Sequence, residues 1–318
     1  MGESNKNFLG FRLVELLSRF LVLTGFTLLG SFLGQIIGLF AAFFILQWKV
    51  GPGADPVKLQ QMLMDFIQHP MNYNNGQRAF MAIQWFTSLG TFVISAWAFN
   101  KFTLKQQLTD LSPKPSVTWH IFLWTIITMV VGSPVLEFII EYNKQMVFPA
   151  AYKDVEIWVR NSELAMENAT KALLHFNSHL DFILGLMTVG FLAALGEELF
   201  FRGVVQNLFL RYIGNQHFAI WVTAAIFSFI HFQFFGFFPR LLLGAFFGYL
   251  YVWYRNIWVP IVAHFFNNGL AIVASYLFQL KVIETDPVNN GIDNPWYAIV
   301  VSVALVVFYV RRLYSFRN

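Results

Sequence analysis

Two adjacent glutamates stand in one of the most apolar stretches of this chain. Glu197 and Glu198 are followed by Arg202, with leucine, valine and phenylalanine on both sides. A charge at bilayer depth costs about 2.5–3.5 kcal/mol on insertion scales, so such a side chain either pairs with another charge or takes part in chemistry. In a helix Glu198 and Arg202 lie four residues apart on one face. The acid is N-terminal, which is the favourable order for an ion pair.

Glu197 lies on a different face of the same predicted helix. It is rotated by about 100° from Glu198 and stands five residues from Arg202, so it has no good local partner. We therefore interpret Glu197 as a desolvated carboxylate that is suited to take a proton from water. The alternative for this stretch is an architectural charge cluster that only packs helices together.

More polar side chains follow in the next apolar segments. His231 comes one helical turn after Phe227, and His264 and Asn268 are four residues apart on one helical face. A lone histidine in a membrane more often links helices than catalyses, but two histidines, one asparagine and one unpaired glutamate favour a cavity that activates water and stabilises an oxyanion. The depths of these residues along their predicted spans conflict with a shared cavity. Glu197 and His264 fall towards the cytoplasmic half of the membrane, whereas His231 falls near the opposite end of the fifth span.

Composition indicates a membrane protein. The chain has 57% hydrophobic and only 12% charged residues, with a mean hydropathy of +0.56, whereas a soluble domain has about 25% charged residues. Cysteine is absent, which excludes disulfides, thiolate metal sites and a cysteine nucleophile. The net charge of +4 needs no nucleic acid to explain it. The polar N-terminus lacks the pattern of a removable signal, so we expect the first hydrophobic segment to remain as an anchor.

The hydrophobic segments predict an all-α transmembrane bundle of about eight spans, against a requirement of about 20 residues each. The predicted spans are 20–47, 79–100, 118–140, 181–210, 218–234, 238–254, 257–278 and 296–311. An amphipathic lead-in is predicted over 8–19, and the first span is long enough to tilt or to break near its glycines. The two long connections, 48–78 and 141–180, each contain a candidate amphipathic helix, either on the membrane surface or as a solvated connector.

These segments form three regions: an N-terminal membrane region 1–180, a core 181–278 and a C-terminal loop and span 279–318. Loop charges predict that both termini are cytoplasmic, in a membrane that is most simply the bacterial cytoplasmic one. The basic residues on the inside are Lys6, Arg12, Arg19, Lys101, Lys105, Lys114, Arg211, Arg255, Arg311, Arg312 and Arg317. Arg240, at the outer start of the sixth span, is an exception to the positive-inside rule.

Two smaller patterns are interpreted without a catalytic role. Gly244 and Gly248 form a small-xxx-small pattern, whose usual role is close helix packing. His175 and His179 are four residues apart and could share a helical face as metal ligands. Because they end a long loop, we favour a solvated pair.

Three motifs in this order resemble those of the CPBP intramembrane proteases: Glu197-Glu198-x-x-x-Arg202, Phe227-x-x-x-His231 and His264-x-x-x-Asn268. That family includes CAAX prenyl proteases of the Ras-converting type and Abi-like proteins of bacteriocin processing or self-immunity. The resemblance covers about 181–275, where the segment that links the second and third motifs is also similar.

The resemblance implies a role for each motif position. Glu197 would be the general base that activates the attacking water, with His231 assisting. His264 and Asn268 would form the oxyanion hole. Three further residues would support this site: Glu198, Arg202 and Phe227.

The resemblance leaves the use of a metal open, since the family has been described both as metal-dependent and as glutamate-dependent. Glu197, His231 and His264 could supply a zinc site, because three ligands plus a water is the catalytic pattern. Glu197 as a ligand would leave the base role vacant unless Glu198 took it. We favour a site without a metal and assign no cofactor.

The predicted function is an intramembrane endopeptidase whose substrate is a membrane-anchored protein or a lipidated, CAAX-like peptide that reaches the site from the lipid bilayer. The alternative is a non-enzymatic membrane binding or immunity protein, or a small proton-coupled transporter, since buried acids and histidines also form proton relays. Against transport, the chain shows no internal repeat of the kind common in transporters.

Overall fold

A computed structural model describes residues 3–48, 55–114, 116–284 and 294–317. This part of the chain forms ten helices and no strand, so the all-α prediction is confirmed. The helices are α1 (Glu3–Ile45), α2 (Pro56–Gln68), α3 (Gly76–Leu104), α4 (Trp119–Lys144), α5 (Lys153–Leu173), α6 (His179–Ile213), α7 (Gln216–Phe229), α8 (Phe237–Tyr254), α9 (Trp258–Gln279) and α10 (Trp296–Ser315).

Each of the eight predicted spans coincides with a helix, which agrees with a multi-pass bundle. Within the described ranges, six helices are long and apolar enough to cross a membrane: α1, α3, α4, α6, α9 and α10. The remaining pair, α7 and α8, has 14 and 18 residues. At 1.5 Å per residue α7 spans only about 21 Å, which is less than the hydrocarbon core of about 30 Å.

The predicted fifth span, 218–234, was too long. The helix α7 ends at Phe229, and Phe232 in the following turn has a φ of 52°. A bulky residue in this left-handed region interrupts a helix. The segment 230–236 therefore forms a loop that begins within bilayer depth, and we call it the 230–236 loop.

The predicted lead-in over 8–19 continues directly into the first span, and the alternative of a break in that span is wrong, because α1 is one helix of 43 residues. Its glycines bring α3 close instead. A Cβ atom added to Gly30 would lie 2.2 Å from the carbonyl oxygen of Gly90, and one added to Gly90 would lie 2.0 Å from that of Gly30. The two backbones therefore touch where only glycine fits.

Close packing of α8 confirms the prediction for its small residues. A Cβ atom on Gly244 would lie 3.2 Å from that of Ala224, and one on Gly248 would lie 2.7 Å from Oε1 of Gln206. Both glycines thus face the neighbouring helices α7 and α6. This contact places α6, α7 and α8 around one buried cluster, which includes Phe201, Val204, Phe227 and Tyr251.

The helix α6 carries π-helical turns on both sides of its two glutamates. They span Leu186–Leu192 and Phe201–Gln206, and the segment Ala193–Phe200 between them is α-helical. A π-helical turn adds a residue to the turn and is frequent at functional sites. The first of these turns supplies a backbone contact to the candidate site described below.

Both long connections contain the predicted helices, α2 and α5. The helix α5 covers the 230–236 loop rather than standing apart from the bundle. Trp158 lies 5.1 Å from Phe234 between ring centroids, and the Glu163 carboxylate accepts a hydrogen bond of 2.7 Å from the backbone N–H of Phe235. Asn143, at the end of α4, donates to the Phe235 carbonyl at 2.9 Å.

One end of the bundle gathers basic side chains. Arg12 of α1 donates to the backbone carbonyl of Arg211 near the end of α6 at 2.6 Å. Arg19 of α1 donates to the carbonyl of Thr103 near the end of α3 at 3.3 Å. Arg211 and Arg255 line one cavity, so the end of α8 lies at this level as well. We call this region the basic end.

Candidate active site

Glu198 and Arg202 form the ion pair that their spacing predicts. The two side chains are 0% exposed, and Nη1 of Arg202 donates to Oε1 of Glu198 at 2.7 Å. Nη2 of Arg202 donates to the carbonyl of Gly244 at 2.8 Å, and the guanidinium lies 5.1 Å from the ring centroid of Phe227. The pair therefore ties α6 to α8 and packs against α7.

His264 brings α9 to the same carboxylate. Its Nδ1 lies 2.9 Å from Oε1 of Glu198, and because that oxygen already accepts from Arg202, we assign the hydrogen of this contact to Nδ1. The imidazole stacks on Phe247 with 5.3 Å between ring centroids. These contacts fix the ring and direct Nε2 towards Glu197.

Glu197 faces His264 across a short gap. Its Oε2 lies 3.8 Å from Nε2 of His264, and its side chain is 14% exposed while that of Glu198 is fully buried. A separation of 3.8 Å is too long for a direct hydrogen bond, but a water molecule can bridge two polar groups at such a distance. As predicted, no side chain of α6 pairs with Glu197. Its nearest ionisable partner is His264 of α9.

His231 lies directly after α7 and close to the other histidine. Its Nδ1 donates to the carbonyl of Phe227 at 2.7 Å, which leaves Nε2 as an acceptor. The Phe227 ring lies between the two imidazoles, with centroids 4.9 Å from His231 and 5.9 Å from His264. The early end of α7 therefore removes the conflict of depth between His231 and the other motifs.

Asn268 lies one turn beyond His264 on α9. One of its amide hydrogens bonds to the carbonyl of Val189 at 3.1 Å, and its Oδ1 accepts from Asn267 at 3.3 Å. Val189 belongs to the first π-helical turn of α6. The second amide hydrogen is left to donate elsewhere.

The structure adds Arg240, which the sequence motifs do not include. Its Nη2 donates to Oε1 of Gln233 at 2.5 Å, and its Nη1 lies 3.4 Å from the Gln233 carbonyl. The guanidinium acts electrostatically on both Glu197 and His231. One signal in the sequence could have identified Arg240 as a functional residue: it is a basic side chain on the outer side, against the positive-inside rule.

The metal alternative stays a prediction. Within the described ranges, no three His, Asp or Glu side chains are grouped so that they could hold a metal ion as they stand. His179, of the pair with His175, forms a hydrogen bond with the Tyr276 hydroxyl instead. We derive no chemical step through a metal.

Comparison with known proteins identifies the same part of the chain. Residues 179–270 match the family model described as type II CAAX prenyl endopeptidase, Rce1-like. A Bacillus subtilis (strain 168) protein, described as uncharacterized protein YpbD, is 32% identical over 83 residues, which are 25% of this chain and 39% of that relative. No solved structure matches. The family match contains every motif residue, from Glu197 to Asn268.

Proposed function

We propose that this chain is an intramembrane endopeptidase, because residues 179–270 match the family model described as Rce1-like type II CAAX prenyl endopeptidase. Its substrate is a membrane-anchored or lipidated, CAAX-like protein that reaches the site from the bilayer. The observation that carries the proposal is the placement of Glu197 3.8 Å from Nε2 of His264, whose other nitrogen is held by Glu198.

Charge balance in this cluster supports a protonated His264 in the resting site. Glu198 pairs directly with Arg202, whereas Glu197 has neither Arg202 nor Arg240 as a hydrogen-bonded partner and is affected by both only at longer range. Buried charges require compensation. In our proposal His264 carries the balancing proton in the resting site. Its Nδ1–H bonds to Glu198, and its Nε2–H is available for the substrate.

Glu197 is the general base of the proposed reaction. A water in the gap beside Glu197 gives its proton to the carboxylate while its oxygen attacks the carbonyl carbon of the scissile peptide bond. The negative charge that develops on the carbonyl oxygen is stabilised by Nε2–H of His264 and by the second amide hydrogen of Asn268. Fixed donors of this kind are among the largest contributions to catalysis.

Bond cleavage returns the proton. As the C–N bond breaks, Glu197 transfers the proton that it took from water to the leaving amine, which restores the carboxylate. The Nδ1–H of His231 is bound to the Phe227 carbonyl, so its Nε2 is free to accept. His231 assists by accepting a hydrogen bond from the attacking water at Nε2. Phe227 acts by packing between the two imidazoles and against Arg202.

We place the enzyme in a bacterial cytoplasmic membrane with both termini cytoplasmic. The bundle of apolar helices supports an integral multi-pass protein that is embedded in the lipid bilayer. In our proposal the substrate enters laterally between helices and reaches Glu197, whose side chain is 14% exposed.

The test compares newly formed protein termini, by mass spectrometry, in membranes of cells that express wild type or Glu197→Gln at matched levels. Glu167→Gln is the matched control, since Glu167 pairs with Lys171 on the exposed side of α5. We expect termini that require wild type or the control and vanish with Glu197→Gln. Identical termini in all three, with folded protein, would reject proteolysis and favour a non-enzymatic binding or immunity role.

A further inference from the structure

A cavity of about 610 Å³ opens at the basic end, away from the candidate active site. Its walls come from α1, the end of α3 and the end of α6. Three arginines line it, namely Arg12, Arg19 and Arg211. Arg12 and Arg19 lie seven residues apart on α1, and the fold brings Arg211 of α6 to the same cavity.

Among the described residues that line this cavity, the one acid is already engaged. Glu15 lies 3.4 Å from Arg19 and accepts a hydrogen bond of 2.8 Å from the Tyr212 hydroxyl. This one glutamate cannot balance both Arg19 and Arg211, so the lining has an excess of positive charge even without Arg12. Guanidinium groups bind phosphate through paired hydrogen bonds, which makes a phosphate the ligand that this charge fits best.

A second cavity of about 570 Å³ adjoins the first and shares Leu104 and Arg211 with it. Leucines supply much of its wall, from the end of α3, the following loop and the end of α6. These residues are Leu104, Leu111, Leu208 and Leu210. A ligand that occupied both cavities would have a phosphate at one end and an apolar chain at the other.

Aromatic residues indicate that both cavities lie at the level of lipid headgroups. Phe11, which lines the first cavity, is 68% exposed, and Phe102 nearby is 59% exposed. The Lys101 ammonium lies 4.8 Å from the ring centroid of Trp97. Exposed aromatic rings with adjacent basic groups are typical of the membrane–water interface.

We propose that the basic end binds one anionic phospholipid. The guanidinium groups of Arg19 and Arg211 hold its phosphate, and one acyl chain lies along the leucine-lined cavity. Basic pockets between transmembrane helices are suited to such headgroups. This site is separate from the Glu197 cluster, so it does not depend on the proposed protease activity.

The test measures lipid binding to the purified full-length chain in detergent micelles, by native mass spectrometry. The probes are phosphatidylglycerol, phosphatidylcholine and sn-glycerol 3-phosphate, which lacks acyl chains. We expect phosphatidylglycerol to bind best. Each arginine near a membrane surface contributes roughly a five-fold change in affinity, so Arg211→Gln should weaken binding about five-fold and Arg19→Gln/Arg211→Gln about 25-fold. Arg211→Lys should retain most of it.

The matched control is Arg311→Gln, which removes an equal charge from the exposed face of α10 outside both cavities. It should leave phosphatidylglycerol binding unchanged. Arg211→Gln should fold, because Arg12 binds the backbone carbonyl of Arg211 and not its side chain. Equal binding of the two phospholipids, equal loss with the control, or binding of glycerol phosphate as tight as that of the lipid would each overturn the proposal.

Discussion

At the scale of single residues, one carboxylate oxygen of Glu198 binds side chains from two helices. Its Oε1 accepts from Arg202 at 2.7 Å and from His264 at 2.9 Å. Removing one partner of a buried ion pair costs about 3–5 kcal/mol, because the other charge stays buried without compensation. We therefore expect Arg202→Met to lower the free energy of unfolding by about this amount, measured by thermal unfolding in detergent.

The double variant Glu198→Met/Arg202→Met separates stability from function. Replacing both members of a buried pair with apolar residues of similar size is often nearly neutral, so we expect it to recover much of the lost stability. It should remain inactive, since His264 then loses the hydrogen bond to Glu198 that orients its imidazole. Recovery of cleavage with the double variant, or unchanged stability with Arg202→Met, would contradict this account of Glu198.

Arg240 is predicted to position the 230–236 loop, on which His231 lies. Its two contacts with Gln233 are hydrogen bonds from a charged group, which are worth about 1.5–3 kcal/mol each. We expect Arg240→Gln to lower kcat about ten-fold or more, with a smaller change in KM. Arg240→Lys should have a kcat between those of wild type and Arg240→Gln. A purely structural role would instead change thermal stability and leave the kcat of the folded enzyme unaltered.

Contacts within one helix were predictable from sequence, and contacts between helices were not. The pairing of Glu198 with Arg202 follows from their spacing alone. The hydrogen bond from His264 to Glu198 joins α9 to α6 across 66 positions, and periodicity carries no information about such a pair. Only the order of the motifs indicated that these side chains meet.

At the scale of elements, the end of α7 shows what hydropathy misses. The segment from Phe229 to Phe235 is almost entirely apolar, so a sequence window continues the span through it. The helix ends because the chain turns at Phe232, and Ser228 donates its hydroxyl hydrogen to the Phe237 carbonyl across the turn at 2.7 Å. A backbone conformation, rather than a change of polarity, therefore places His231 beside the other motifs.

The contact of α5 with this loop should depend on pH. Burial raises the pKa of the Glu163 carboxyl above its ordinary value. A carboxyl whose pKa is raised by folding favours the folded state when protonated, and that advantage is lost as pH rises through the raised pKa. We therefore expect wild type to match Glu163→Gln in melting temperature at acidic pH and to fall below it as pH rises.

Melting temperatures from about pH 4 to about pH 8 cover the range in which carboxyl groups of this kind titrate. Glu141→Gln serves as the control, because Glu141 lies on α4 in an exposed ion pair with Lys144. The difference in melting temperature between this control and wild type should not increase as pH rises. A constant difference between wild type and Glu163→Gln would show that Glu163 is not buried in the docked helix.

At the scale of the whole molecule, composition and span order were the most predictable features. The apolar character of the chain required a helical bundle, because each backbone polar group in lipid must be satisfied within its own segment. The helices that form close pairs, such as α1 with α3 and α7 with α8, are fixed by where glycines let backbones approach. Small-xxx-small patterns mark both contacts, with Gly244 and Gly248 in α8 and Gly30, Gly34 and Gly38 in α1. Close packing was predicted for the pattern in α8, and the one in α1 was overlooked.

The segregation of charge predicts one orientation in the membrane. Arginines and lysines collect at the basic end, and basic residues in short loops face the cytoplasm. The opposite face carries α5 and its exposed Asn161. Because the chain has no cysteine, single variants Lys105→Cys, Arg311→Cys and Asn161→Cys each provide one unique thiol for labelling.

We expect a membrane-impermeant maleimide to label Asn161→Cys in intact cells, and to label Lys105→Cys and Arg311→Cys only after the membrane is opened. Agreement between the last two thiols matters, because they lie at the ends of different helices, α3 and α10, on the same predicted side. A reversed pattern would place the basic end outside, against the charge rule. Labelling of Lys105→Cys and Arg311→Cys from opposite sides would reject the arrangement of spans itself, since the two helices would then end on different faces of the bilayer.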